Sequence, residues 1–194
     1  MLLRRILAWI ATVGIGIGLG LISLWAVLAF GGANLSDHYG AWSLNRAAGS
    51  QAAGPYTRAI IARTGLLALS AQEAIYFNLD RDENGRPLDE GCIYEVSGQP
   101  LEARWWSLTL YADDNYLARN SDHAYSVDAS RLGPGAWRAR ISAVQGDAPF
   151  WISSRAAGRN FSLTLRVYNP LDDFQPSEAV LPSLHTVSCG GGQS

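Results

Sequence analysis

Two stretches of the chain alternate apolar and polar residues with period two, and they nearly repeat one another. The first is Trp105–Tyr111, Trp-Trp-Ser-Leu-Thr-Leu-Tyr; the second is Phe161–Tyr168, Phe-Ser-Leu-Thr-Leu-Arg-Val-Tyr. Trp106, Leu108 and Leu110 face one way, with Ser107, Thr109 and Tyr111 opposite. Phe161, Leu163, Leu165 and Val167 alternate in the same manner with Ser162, Thr164, Arg166 and Tyr168. Such alternation, rich in aromatic and branched residues, predicts half-buried β-strands. Further strands are predicted at Ala74–Leu79, Cys92–Val96, Tyr116–Ala118, Ala124–Val127, Trp137–Val144 and Phe150–Ile152. In Trp137–Val144, Trp137, Ala139 and Ile141 share one face and Arg138 and Arg140 the other. Asn84-Gly85 is a hairpin signal between the first two of these strands. Glycine and proline turns separate the rest, and no helical stretch lies between successive strands. That pattern predicts a mostly β domain, an antiparallel sandwich or barrel, rather than parallel α/β.

The start of the chain reads differently. Arg4 and Arg5 precede a run, Ile6 to Ser36, without a charge. Its strongly apolar part, residues 6–30, is long enough to cross a hydrocarbon core of about 30 Å as a helix. A cleaved signal peptide has a shorter apolar region, of about 7–15 residues, and a small-residue cleavage site. Here the only such site is the weak Val27-Leu28-Ala29, so the run reads as an uncleaved signal-anchor. Arginines before the helix place residues 1–5 in the cytoplasm and the rest of the chain outside that membrane. Gly14 and Gly18, one helical turn apart, would let two such helices approach closely in a homodimer. The same glycines are no phosphate loop, because they sit inside an apolar helix.

After the membrane segment, residues 31–54 are small and polar and read as a flexible tether, with one short ordered piece around Tyr39–Leu44. Pro55 suits the first turn of a helix, and Gly65 its end. Tyr56, Ala59, Ile60 and Ala62 supply an apolar face to pack on the sheet. The folded domain therefore spans residues 55–189, followed by a disordered tail, 190–194, rich in glycine.

Cys92 and Cys189 are the only cysteines. In an oxidising compartment they read as a disulfide joining an early strand to the tail. A free buried thiol or a metal ligand is the alternative.

Composition removes several functions. The chain has 194 residues, 15 basic and 17 acidic, and every basic residue is Arg. There is no basic stripe for nucleic acid and no Lys for a Schiff base or a P-loop. Asp80, Asp82, Asn84 and Gly85 begin like a calcium loop, but its twelfth position is Gly91 rather than Glu, so an EF-hand is rejected. The histidines, His38, His123 and His185, show no metal-ligand spacing. No nucleophile elbow is present. Asp113/Asp114 and Asp172/Asp173 are adjacent pairs whose members point apart on a strand.

Several separated motifs also carry a resemblance. Gly91-Cys92-Ile93-Tyr94, Arg104 to Tyr111, and Phe161 to Pro170 resemble the bacterial domain-of-unknown-function family 1214. Arg58-Ala59 to Leu67 and Asn84 to Leu88 are similar to the same family's entry helix and first hairpin. The resemblance covers roughly residues 55–188. It implies a jelly-roll-like β-sandwich. Longer relatives carry a second uncharacterised domain (family 1254) ahead of it; here a membrane helix stands in that place. They also carry Asn-Trp-Leu-Pro before the last strand, where this chain has Phe150-Trp151-Ile152-Ser153. The resemblance implies no activity.

The aromatic residues beside arginine are the best candidates for recognition. Tyr111, Arg166 and Tyr168 share the non-core faces of the paired strands; Trp105 and Trp151 are the tryptophans most suited to join them. The alternative is that this face is covered and Arg166 is bonded internally. The sequence thus reads as a membrane-anchored periplasmic β-sandwich that binds an envelope protein or carbohydrate ligand without catalysis, and without metal or cofactor. The competing reading is an envelope hydrolase or metal-assisted enzyme. A concave pocket holding His123 or His185 with a carboxylate would favour the enzyme.

Overall fold

The computed structural model describes residues 2–30, 36–44, 54, 55, 58, 59, 62, 69, 70, 73–171 and 174–190. The two period-two stretches are strands, and they lie side by side. β6 (Ala103–Tyr111) and β10 (Arg159–Pro170) pair antiparallel, with Trp106 opposite Val167, Leu108 opposite Leu165 and Leu110 opposite Leu163. Direct opposition puts these six side chains on one face, and none is more than 2% exposed. Burying an apolar side chain of this size contributes about 1.5–3 kcal/mol, so the pairing and the core form together.

Other strands add to this pair. β1 (Asp37–Tyr39), β2 (Trp42–Leu44), β3 (Ala74–Leu79) and β7 (Ser126–Asp128) complete a sheet in the order β1-β2-β3-β10-β6-β7. The short β4 (Leu88–Asp89) joins it on the first residues of β10. The second sheet runs β11 (Ser183–Cys189), β5 (Cys92–Gly98), β8 (Trp137–Ser142), β9 (Trp151–Ser153). The sheets share one core. Trp106 of the first packs on Trp137 of the second at 5.0 Å between ring centroids, and Tyr94 meets Phe161 edge-on at 6.0 Å. Every pairing is antiparallel except β8 with β9, which is parallel, so the second sheet is mixed. The loop 143–150 carries the chain back to make that pairing, and Arg140 N–H donates to Phe150 C=O at 2.9 Å as it returns.

Three expectations change. The Asn84-Gly85 turn does not join neighbours, because β3 and β5 belong to different sheets. It closes on itself through a bridge between Arg81 and Pro87. Asp82 holds it: Oδ1 accepts the N–H groups of Asn84 (2.8 Å) and Arg86 (2.9 Å), and Oδ2 the Arg86 Nε–H (2.8 Å). Residues 116–118 are a loop rather than a strand. Asn115 adopts φ +64°, and Ala112 N–H donates to Tyr116 C=O at 2.8 Å. Within the predicted tether, residues 37–44 form a hairpin that belongs to the sheet, with Ser43 opposite Asn78 and Leu44 opposite Phe77. Its anchor is Trp42, buried, whose Nε1–H donates to Pro182 C=O at 2.6 Å. Glycine and alanine on either side hide this alternation of Trp42 and Leu44 in the sequence.

Of the predicted helix 55–65, positions 55, 58, 59 and 62 are helical, and Arg58 N–H donates to Gly54 C=O at 3.1 Å. Tyr56, Ile60 and Gly65 lie outside the described residues, as do Asp172, Asp173, most of the tether and residues 191–194 of the tail. The N-terminal helix α1 (Leu2–Phe30) includes the 25-residue span Leu2–Ala26, whose most apolar 18 residues have a mean hydropathy of 2.1 and are not buried against the rest of the protein. A second helix, α2 (Ala129–Leu132), is a single turn capped by Asp128.

Cys92 and Cys189 are bonded, 97 residues apart, where β5 begins and β11 ends. Closing so long a loop constrains the unfolded chain, and a disulfide of this kind typically contributes about 2–4 kcal/mol. Replacing both cysteines by Ala should therefore lower the denaturant midpoint by a matching amount. Reductant should do the same to the unaltered protein, and equal stability of the two forms would contradict this role.

Candidate recognition face

The pairing that buries one face of β6 and β10 turns the other face outward, and cross-strand register fixes its rows. Tyr76 of β3 lies opposite Arg166, and Arg166 opposite Ser107, which lies opposite Asp128 of β7. One row over, Asn78, Thr164, Thr109 and Ser126 align. One row the other way, Tyr168 meets Trp105.

Arg166 is the centre of this face. Its guanidinium donates to the Tyr111 hydroxyl through Nη2. Its charge lies 5.2 Å from the Tyr111 ring centroid and 5.9 Å from that of Tyr76. Two aromatic rings thus hold a cation by its attraction to their negative faces. Among the described residues no carboxylate pairs with it. The nearest acid along its row, Asp128, uses Oδ1 to accept the N–H groups of Ser130 (2.9 Å) and Arg131 (3.2 Å). Beside the arginine, Trp105 and Tyr168 pack with ring centroids 5.3 Å apart, and Trp105 Nε1–H donates to Ser130 Oγ at 3.2 Å.

Four of the five residues expected to recognise a ligand, Trp105, Tyr111, Arg166 and Tyr168, are therefore brought together. Trp151 is not. It sits in β9 of the other sheet, opposite Arg140, with Nε1–H donating to Ser142 C=O at 2.9 Å. Tyr76, buried, is a further member of the Arg166 row, and its alternation with Ile75 and Phe77 is its signal in the sequence. The face is not open throughout. Ser107, Thr109 and Thr164 are buried, and the Thr164 hydroxyl donates to Asn78 Oδ1 at 2.8 Å. Tyr111, Arg166 and Tyr168 are half-buried, and Trp105 is 36% exposed.

A second concavity, about 1020 Å³, opens beside the β1–β2 hairpin and β11. His38 and His185 line it with Asp80, Asp82, Glu83 and Glu178. His185 thus lines a concavity together with carboxylates, the arrangement that favours the enzyme reading. Its buried acid, Asp82, and the exposed Glu83 beside it are both occupied, however. Burial pushes the Asp82 carboxyl up, but the N–H and guanidinium of Arg86 and the N–H of Asn84 together hold it below its ordinary value. Burial acts the same way on Glu83, and the N–H and hydroxyl of Thr186 outweigh it. Asp82 is thereby committed to its own turn and Glu83 to β11. Among the described residues no three His, Cys, Asp or Glu side chains are grouped to hold a metal. His123 is not part of this cleft; it occupies a turn with φ +54°, its ring 6.3 Å from Tyr125.

Two packed β-sheets, a long apolar helix and an arginine clasped by tyrosines define a β-sandwich domain with an attached apolar helix. Residues 73–172 match the family described as a protein of unknown function, DUF1214. That is more than half of the chain, and the chain belongs to this family. Among solved structures it is similar to the VPA0106 protein from Vibrio parahaemolyticus, at 25% identity and a TM-score of 0.55, with 70% of this chain aligned to 37% of that one. A structure of an uncharacterised protein from Burkholderia cenocepacia aligns at 15% identity and a TM-score of 0.41, over 63% of this chain and 31% of the other. The chain thus spans about a third of the length of these two proteins. No curated protein matches it.

The turn at Asp82 offers a direct check on these electrostatics. A carboxyl whose folded pKa lies below its unfolded value of about 3.9 contributes stability above that pH and loses it as the pH falls through the folded pKa. Asp82→Asn should cost about 1.5–3 kcal/mol at neutral pH, the range for hydrogen bonds to a charged group. It should also shrink the loss of stability that the unaltered protein suffers below about pH 4. Chemical denaturation at pH 7 and pH 3 measures both, and an unchanged acid response would contradict the assignment.

Proposed function

We propose that α1 anchors this chain in the bacterial inner membrane, with residues 1–5 in the cytoplasm and the β-sandwich, whose strands run from Asp37 to Cys189, in the periplasm. There the face formed by Trp105, Tyr111, Arg166 and Tyr168 binds an envelope saccharide or protein segment without transforming it. The observation that carries the binding reading is Arg166. A half-buried guanidinium held by two tyrosines, with no carboxylate among the described residues, retains donors for an acceptor on another molecule. Trp105 and Tyr168 beside it supply a flat apolar surface of the kind sugar rings and peptides stack on.

Anchoring is supported by the exposure of α1. An unburied apolar helix of 25 residues is about 38 Å long at 1.5 Å per residue, which suits a bilayer and not water. The Cys92–Cys189 bond suits an oxidising compartment. Gly14 and Gly18 have open space around them, so a second copy of α1 can approach there and pair the anchors. The jelly-roll arrangement that the resemblance implies is part of the same reading.

Two measurements in cells test it. Alkaline phosphatase fused after Ser194 should be active, because that enzyme folds only outside the cytoplasm; an inactive fusion with abundant protein would reverse the orientation. A photo-reactive amino acid at position 105 should then capture an envelope component. Capture should fall at least about tenfold in Arg166→Met, as expected for a lost charged hydrogen bond. Capture that is equal in Arg166→Met, or equal from a reporter at the exposed Asn84, would remove this face from recognition.

A further inference from the structure

We infer that the outward side of the four-stranded sheet holds a separate pocket for a small apolar carboxylate, its anionic head bound by Arg140. The loop 143–150 folds beside β5 and β8 and leaves a cavity of about 310 Å³. That is the lower end of the range of small-molecule sites, about 300–1,000 Å³. Ile93, Pro149, Phe150 and Val187 give it apolar walls. Val187 is 61% exposed, at the point where the register of β11 shifts between Thr186 and Ser188. Covering such surface with the hydrocarbon of a ligand is favourable at about 25 cal/mol per Å².

Two guanidiniums also line this cavity, and they differ. Arg138 is paired with Glu95 at 3.2 Å. Arg140 is not paired: Nε–H donates to Ser142 Oγ at 3.3 Å, and among the described residues no carboxylate reaches it. Asp147 lines the same cavity, and among the described residues it forms no ion pair. With Nε occupied, the two Nη groups of Arg140 remain as a planar fork, which matches the two oxygens of one carboxylate. The site is formed before any ligand arrives. Ser142 Oγ–H donates to Val144 C=O at 2.6 Å, and Trp151 Nε1–H to Ser142 C=O at 2.9 Å. Gly146, at φ +60°, brings the loop backbone close to the Arg140 guanidinium. This gives Trp151 a role as a positioning residue, holding the strand end from which Arg140 and the loop project.

The inference does not depend on the Arg166 face. Its test is isothermal titration of the full chain in lipid nanodiscs, with empty nanodiscs as the blank. The probes are 3-phenylpropionate, the neutral 3-phenylpropanol and acetate. The acid should bind saturably at one site, the alcohol at least about tenfold more weakly, and acetate not measurably, since a charged hydrogen bond and apolar burial are both required. Arg140→Gln should weaken the acid about tenfold and leave the alcohol unchanged, and Arg166→Met should leave both as they are. Equal binding of acid and alcohol, no saturable binding of the acid, or full affinity in Arg140→Gln would overturn the assignment. Should Arg140→Gln fail to fold, the comparison of acid with alcohol on the unaltered chain still decides.

Discussion

The register between β6 and β10 is the constraint on which the rest of this protein depends. Setting Leu108 opposite Leu165 sends every other side chain of both strands into the core and the remainder outward. A slip of one residue would put Arg166 into the core and Leu165 into water. With a buried charge costing several kcal/mol and each misplaced apolar chain losing about 1.5–3 kcal/mol, no such slip is tolerated. The neighbouring strands inherit this register. β3 reads it from β10, placing Phe77 beside Leu165 and Tyr76 beside Arg166. The second sheet reads it through ring contacts, Trp106 on Trp137 and Tyr94 on Phe161.

Its consequence for function is that the two outward faces carry different arginines in different environments. On the larger sheet Arg166 is clasped by aromatic rings and a phenol oxygen. On the smaller sheet Arg140 lines a pocket with apolar walls. Several acids elsewhere on the domain are matched within it. Asp82 takes Arg86, Asp89 takes Arg159, Glu95 takes Arg138 and Asp122 takes Arg155. Arg140 and Arg166, like Arg81, Arg104 and Arg131, form no ion pair among the described residues, and of these the first two sit beside apolar or aromatic surface. Among the described residues every buried side-chain nitrogen and oxygen has a partner. The unfilled hydrogen-bonding capacity of this molecule therefore lies at its surface.

Much of the fold was legible from alternation alone, because burial on one face writes itself into every second residue. The core positions of β6, β8 and β10 follow directly from it, as does the gathering of Trp105, Tyr111, Arg166 and Tyr168. The failures have physical causes. The hairpin at residues 37–44 is too short for a period to show, and its flanks are small residues that resemble a linker. The Asn84-Gly85 signal predicts a join between neighbouring strands, but a turn signal reports a local reversal and says nothing of which sheet receives the next strand. Trp151 lies away from the Arg166 face because its three-residue strand joins the other sheet, parallel to β8, which so short an alternation does not reveal. The pocket at Arg140 was invisible for a related reason. The alternation gave Arg140 an outward direction, but only the return of the loop 143–150 encloses a space in front of it.

If the β6–β10 pair organises the fold, its backbone hydrogen bonds should open last. Native-state amide exchange, followed across added denaturant, measures this directly. The amides of Trp106, Leu108, Leu163 and Leu165 should exchange only through global unfolding, with one common free energy. Those of the β1–β2 hairpin and of β9 should open at lower cost. If the β6 and β10 amides open as easily as those of the hairpin, the pairing is not what the rest of the structure rests on.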